Sequence, residues 1–319
     1  MNDNWQPDTT SDNPSRPPAP QGMNEFADAI KSWADATSTG DSKAAQQAAL
    51  EVFTLASEEA LRNPTPDFLL KQEADDLESQ SKWSEAEAVR LRVLDLSETT
   101  GNFGRLAKAQ MDLCGLLRLL GRVQDASHWA SAAITSARRT EMVPLVVMAL
   151  VHEVSCALDR GDTPGALAAV SEILQLIECG KLYGQMRARA LTTRAKCLLT
   201  NGDPAGAALD LASSWELLQA QSGSWMMTMP GPVGAMANWW EVKSQLEERQ
   251  GNLANAQAAM AEAINYRRQG EGPYALFALA CSLEKLGQIS KAVGDVADGE
   301  QAWSEAQTIR RDLQLPCNT

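Results

Sequence analysis

The chain holds two histidines, His128 and His152, and they set the first limit on its chemistry. His152 and Cys156 stand four apart, a spacing that puts both on one helix face and lets such a pair ligate a metal ion. A structural site needs four protein ligands, and no second Cys/His pair at ligand spacing supplies the rest. The pair therefore reads as a helix-packed histidine beside a core thiol. Nucleophilic catalysis needs a nucleophile on a sharp turn beside a base, and the chain has no GxSxG and no such elbow. It also lacks the GxxxxGK[ST] phosphate loop and a strand-bound GxGxxG. The carboxylates follow helix surfaces, where solvated faces account for them. The reading is non-catalytic, with no metal and no other cofactor.

Two stretches suit binding better than turnover. In KLYGQMRARALTTRAK, residues 181–196, the cations Lys181, Arg187, Arg189, Arg194 and Lys196 occur with no acid between Glu178 and Asp203. Arg189 and Lys196 are seven apart, as are Arg187 and Arg194, so each pair shares a helix face. In a chain of net charge −13 this is a positive stripe that can take an acidic segment of a partner. Acids of neighbouring helices, Glu172 and Glu178 among them, can equally neutralise it from within. The second stretch is QSGSWMMTMPGPVGAMANWW, residues 221–240. Trp225, Met226, Met227 and Met229 stand there among Gly and Pro, where a loop is expected. Flexible Met beside Trp makes an adaptable contact surface; the other reading is a loop that folds back and plugs the groove. Adjacent residues point about 100° apart on a helix, so at least one of Trp239 and Trp240 belongs to the core.

Composition narrows the partners. With 41 acidic against 28 basic residues, the chain is unsuited to phosphate-driven nucleic-acid binding or to an anionic membrane surface. The longest apolar stretch, MVPLVVMALV, is half the roughly 20 residues a membrane span needs. The first 22 residues, rich in Pro, Asp, Asn and Ser, show no cationic segment followed by an apolar one and read as a disordered tail rather than a secretory signal. Six cysteines stand singly without framework spacing, as reduced and mostly buried thiols of a cytoplasmic protein would.

The elements that must carry these residues repeat. GDSKAAQQAALEV, SKWSEAEAVRLRV, GRVQDASHWASAA, GDTPGALAAVSEI, GDPAGAALDLASS, GNLANAQAAMAEA and GDVADGEQAWSEA begin at residues 40, 81, 121, 161, 202, 251 and 294. Six of the seven open on Gly, and most place Ala five residues on. Periods of about 40 residues mean a solenoid. Each Gly follows a stretch of helical spacing and precedes another. Gly-Asp or Gly-Asn ends one helix through a left-handed backbone and caps the next with a side-chain oxygen. Small residues seven before the turn (Ala74, Cys114, Ala195, Ser244, Gly287) face the small residue five after it, so two antiparallel helices approach closely. The long step from 202 to 251 holds an insertion at 221–232.

With its small residue in the first helix, Gly at the turn and Ala-x-x-x-large-x-x-small in the second (Ala126, Ala130, Ala133; Ala256, Met260, Ala263), the chain resembles the tetratricopeptide repeat (TPR) family. Its period is closer to the longer variant of kinesin light chains and bacterial sensor and scaffold proteins. The resemblance implies an all-α fold, a right-handed α-solenoid of about seven helical hairpins over residues 23–312, between an N-terminal tail (1–22) and a C-terminal one (313–319). It implies that first helices line a concave groove, with contact positions Lys108, Met111, Gly115 and Arg118 in the third unit, Arg189, Thr192 and Lys196 in the fifth, and Asn238, Glu241, Gln245 and Glu248 in the sixth. The expected role is a scaffold or adaptor that binds a protein or peptide in that groove; the alternative is a sensor that closes on a small peptide or metabolite and controls a separate effector. An open groove would mark the first, a deep closed one the second.

Overall fold

The computed structural model describes residues 65–179, 184–220 and 232–315, with residues 28, 29, 31, 32, 35 and 51. The chain divides into two compact units, Met1–Pro64 and Thr65–Thr319, and the architecture described is that of the second. The tail 1–22, most of the hairpin around Gly40 and residues 221–231 of the insertion lie outside the described residues. The unit is all-α: α1 Pro66–Ser79, α2 Trp83–Thr99, α3 Phe103–Leu119, α4 Val123–Arg138, α5 Val143–Asp159, α6 Thr163–Cys179, α7 Gly184–Thr200, α8 Pro204–Ala220, α9 Pro232–Arg249, α10 Leu253–Arg267, α11 Pro273–Val293 and α12 Val296–Asp312. Successive pairs form six hairpins stacked as an α-solenoid.

The turns fall where the repeat puts them. Ser81, Gly121, Gly161, Gly202, Gly251 and Gly294 all have positive φ, from 58° to 97°. The next residue's N–H then reaches back five positions: Lys82 to the Leu77 carbonyl, Arg122 to Leu117, Asp162 to Ala157, Asp203 to Leu198, Asn252 to Glu247 and Asp295 to Ser290, at 2.8–2.9 Å. This closure satisfies carbonyls that a helix end leaves bare. Ser81 holds the left-handed geometry without glycine, at a cost of roughly 1–2 kcal/mol. Side-chain capping is rarer than the sequence suggests. Asp162 accepts from the Gly165 N–H and Asp203 from the Gly206 N–H, both at 2.9 Å, whereas Asn252 and Asp295 cap nothing with their side chains.

The crossings are as tight as the small residues require. Ala74, Cys114 and Ala195 from first helices and Ala86, Ala126, Ala166, Ala207 and Ala256 from second helices are all fully buried. Between α9 and α10 the two crossing positions bond directly: Ser244 Oγ donates to the Ala256 carbonyl at 2.7 Å. Between α11 and α12, a Cβ placed on Gly287 or on Gly299 would lie 3.0 Å from the other's carbonyl oxygen. Where the step is long, Trp239 is buried, with its indole N–H donating to the Leu211 carbonyl at 2.9 Å. Its ring and that of Trp240 pack on Trp215, with centroids 4.4 and 5.9 Å away.

The ends of this unit meet. Trp83 at the start of α2 is buried with Leu116 and Leu119 of α3 and with Leu313 and Leu315, beyond α12; Phe277 and Ile309 pack against the same cluster. Tyr274 of α11 lies against the Glu78 carboxylate of α1, and its ring edge sits 3.9 Å from where a side chain on Gly115 would begin. The segment set apart as a C-terminal tail therefore starts as packed core, because Leu313 and Leu315 are 5% exposed. Cys114, Cys156 and Cys197 are buried as expected, while Cys179 and Cys281 are exposed.

Candidate functional site

Three consecutive first helices, α5, α7 and α9, line a cavity of about 250 Å3, with α6 forming one wall. Its apolar lining includes Val147, Met148, Val151, Val170, Ile173 and Met186. Its polar lining is His152, Arg189, Thr192, Thr193 and Asn238. The repeat explains why these residues converge. Met148, Arg189 and Asn238 each stand thirteen residues before their own turn, and Val151 and Thr192 stand ten before, so the period carries the same inner positions from hairpin to hairpin.

Charge in the cavity is unbalanced. Arg189 Nη1 is buried without a hydrogen-bond partner, and burial alone pulls the guanidinium below its ordinary value. His152 Nδ1 is buried and unpartnered too. Burial, reinforced by the charges of Arg118 and Lys108 and opposed by Asp112, lowers His152 to about 4, so its ring is neutral at pH 7. The hydroxyls are held: Thr192 Oγ1 donates to the Ala188 carbonyl at 3.0 Å and lies 2.8 Å from Ser214 Oγ, and Thr193 donates to the Arg189 carbonyl at 2.9 Å. Asn238 Oδ1 accepts from Arg267 at 3.2 Å, which leaves its amide N–H2 as the free donor. Aliphatic walls with a few fixed polar groups and a cation uncompensated among the described residues suit an amphipathic anion.

The rest of the positive stripe is neutralised inside the fold. Arg194 makes a two-pronged pair with Asp210 at 2.6 and 2.7 Å. Lys196 reaches Glu241 at 3.4 Å, and Arg267 pairs with that carboxylate as well. Burial would raise Glu241, but these two cations outweigh it and hold the carboxyl below its ordinary value. Arg187 stands 3.9 Å from Glu178, while Glu172 is taken by Arg138 at 2.7 Å. Lys181 lies outside the described residues. Arg189 is thus the stripe's unpaired member among the described residues.

The other expected contact residues scatter. Met111 is 1% exposed, packed into the core with Ala107, Val147 and Leu150, so it offers no surface to a partner. Lys108 pairs with Asp112 four residues on, and Arg118 with Asp159 at 2.7 Å. Gln245 lines a second, polar cavity of about 320 Å3 with Thr200, Glu248, Arg249 and Lys285, where Lys285 and Glu248 already pair at 2.9 Å. Trp225, Met226, Met227 and Met229 lie outside the described residues. His152 is the residue that sequence reasoning set aside. Its signal was its position, four after Met148 and next to Val151 on the inner face of α5.

No protein-family model matches the chain, and no curated protein matches it. Solved structures match its fold. A Rap protein complexed with competence and sporulation factor aligns over 92% of this chain and 77% of its own, at 12% identity and a TM-score of 0.60. The apo form of RapI aligns over 91% and 99%, at 10% identity and 0.57. The Rap conjugation gene regulator of plasmid pLS20, in complex with the Phr* peptide, aligns over 92% and 75%, at 10% identity and 0.55. At such identities the likeness is one of fold, and the fold is that of a TPR-like helical-repeat solenoid.

Proposed function

We propose that this chain is a non-catalytic peptide receptor, a sensor-type TPR-like solenoid that holds a short extended segment of a partner in the cavity between α5, α7 and α9. The carrying observation is the cavity itself: aliphatic on most of its wall, polar at fixed points, and built from the inner positions of consecutive repeats. At about 250 Å3 it falls just under the usual size of small-ligand sites and suits one or two residues of a peptide rather than a folded domain. Contact between the ends of the unit favours a sensor over an open scaffold, because Tyr274 stands over Gly115 on the inner side of α3 and shortens the groove. One of the solved structures with this fold, the Rap conjugation gene regulator, is in complex with a peptide, which adds support at the level of fold. The reading places the protein in the cytoplasm, where the buried thiols of Cys114 and Cys156, 3.6 Å apart, stay reduced.

The test is calorimetric titration of the full chain with pools of N-acetylated pentapeptides, beside a Val151→Trp variant in which the indole fills the cavity. Binding by wild type and its loss in Val151→Trp, with helicity by circular dichroism unchanged, is the expected result. Equal binding by both proteins moves the site elsewhere.

A further inference from the structure

Cys114 of α3 and Cys156 of α5 are fully buried, and their sulfurs lie 3.6 Å apart. Successive hairpins bring them together across 42 positions of sequence. One side of the pair is apolar: Leu113, Leu117, Ala126 and Ala130 share its cluster. The other side is polar. Ser127 hydrogen-bonds Cys156 and accepts from Arg160, and Ser127 and Arg160 are only part-buried, so the thiols lie one side chain beneath the solvent. A buried cysteine in apolar surroundings is ordinarily inert, because burial disfavours the thiolate. Here the two sulfurs are unequal. The hydrogen bond between them lowers Cys156 and raises Cys114, the pattern of a Cys114 thiol that donates to Cys156. Burial and the Glu153 charge oppose the lowering of Cys156, while Arg118 and Ser127 reinforce it. A more acidic sulfur thus stands in contact with a second sulfur that can resolve it, the arrangement that favours oxidation to a disulfide.

We infer that Cys114 and Cys156 are a reversible redox pair: hydrogen peroxide closes them to a disulfide that staples α3 to α5, and a thiol reductant reopens it. The Cys156 sulfur attacks one oxygen of the peroxide and the O–O bond breaks. The departing hydroxide takes the Cys156 thiol proton and leaves as water. The Cys114 sulfur then attacks the sulfur of the resulting sulfenic acid, and the hydroxyl group leaves with the Cys114 proton as a second water. Two thiols lose two electrons to one peroxide. In a reducing compartment the pair rests as thiols. A disulfide holds its sulfurs about 2 Å apart, so closure asks only a small approach of the two side chains. The bond fixes α5 one turn from His152, in the wall of the cavity, so oxidation restrains that helix against α3. The inference does not depend on the peptide reading.

The experiment treats the full chain, reduced and then freed of reductant, with hydrogen peroxide in native buffer and, separately, in urea. Remaining thiols are blocked with iodoacetamide under denaturing conditions, and tryptic peptides are mapped by mass spectrometry. In the native protein the Cys114 peptide should be joined to the Cys156 peptide, lighter by two hydrogens, and dithiothreitol should separate them. The linked protein should unfold at a higher urea concentration than the reduced one, because the cross-link constrains the unfolded chain. Peroxide should give a Cys156→Ala variant no such shift. If peroxide consumes the exposed Cys179 and Cys281 yet leaves Cys114 and Cys156 as thiols, the pair is inert core and the inference is overturned. A link that forms only in urea overturns it too, as does one that leaves the urea midpoint unchanged or lower. The mapping needs wild type alone, so it decides the matter even if Cys156→Ala fails to fold.

Discussion

The indole N–H of Trp83 donates to the carbonyl oxygen of Leu313 at 2.8 Å, joining residues 230 positions apart. A solenoid in which hairpins touch only their neighbours gains nothing from such a bond. Here the bond sits in a buried cluster with Leu315 that links the two ends of the unit. Trp83→Leu and Leu315→Ala should each destabilise the protein, by about 2–5 kcal/mol for the truncation at Leu315. Measured as a double-mutant cycle in denaturant, their effects should depart from additivity by at least about 0.5 kcal/mol, as for residues in contact. Additive effects would mean that the ends do not hold each other.

A second expectation sets two opposing terms against each other at Gly287. Replacing it with Ala gains up to about 1 kcal/mol of helix propensity. The new methyl, however, lies 3.0 Å from the Gly299 carbonyl oxygen, which is backbone and cannot turn aside. Overpacking of this kind costs about 1–3 kcal/mol, so the crossing term wins and Gly287→Ala should lower the melting temperature. Gly101, with positive φ and open space around it, should lose stability on Ala substitution through backbone strain alone.

These crossings were legible in the sequence because a helical hairpin is a local object. The Gly that ends one helix and the small pair seven before and five after it lie within thirteen residues, and the repeat states them again and again. The charge partners were not legible. Arg194 meets Asp210 sixteen residues away and Lys196 meets Glu241 forty-five away, through turns and hairpin stacking that no spacing rule specifies. End contact was invisible for the same reason. Met111 keeps the phase of an inner-face residue, yet it lies packed against α5, and Tyr274 stands over the neighbouring Gly115. Trp83 stands two residues after the Ser81 turn, and nothing in the sequence ties it to Leu313. Arg189, Thr192 and Asn238, which share inner-face phase, line one cavity, while His152 was set aside because a lone histidine on an apolar helix carries no distinguishing pattern.

His152 gives a pH dependence whose sign is fixed. Its pKa falls from 6.5 to about 4 in the folded state, from burial first and then from Arg118 and Lys108. Between those values the unfolded chain takes up a proton that the folded chain refuses, so stability falls as the pH drops from about 6.5 towards 4. The full contribution is bounded near 3 kcal/mol at roughly 1.4 kcal/mol per pH unit. Carboxylates titrate at the lower end of this window, so the measurement is a difference: urea unfolding of wild type and His152→Gln from pH 7 to pH 4.5. The stability gap between them should shift in favour of the variant as the pH falls. A gap that stays constant with pH would mean that His152 is protonated normally.

The last expectation concerns two arginines five residues apart on one helix. Arg194 and Asp210 satisfy each other through two hydrogen bonds, and the Asp210 side chain is 9% exposed. Truncating Arg194 to Ala leaves that carboxylate without its partner, at about 1–3 kcal/mol for an unsatisfied group; the arginine's own partial exposure keeps the cost in that range. Arg189 is the opposite case. It is largely buried and, among the described residues, unpaired, so the fold bears the burial of its charge without return. Arg189→Gln keeps much of the stem and removes that charge, so it should leave the unliganded protein as stable as wild type or more so. Denaturant unfolding of both variants at pH 7 reads the contrast directly. A group that weakens the resting fold yet occupies the wall of a cavity is placed for a ligand's charge. If Arg189→Gln instead proved as damaging as Arg194→Ala, the guanidinium would have a partner within the chain, and the cavity would hold no free cation to offer.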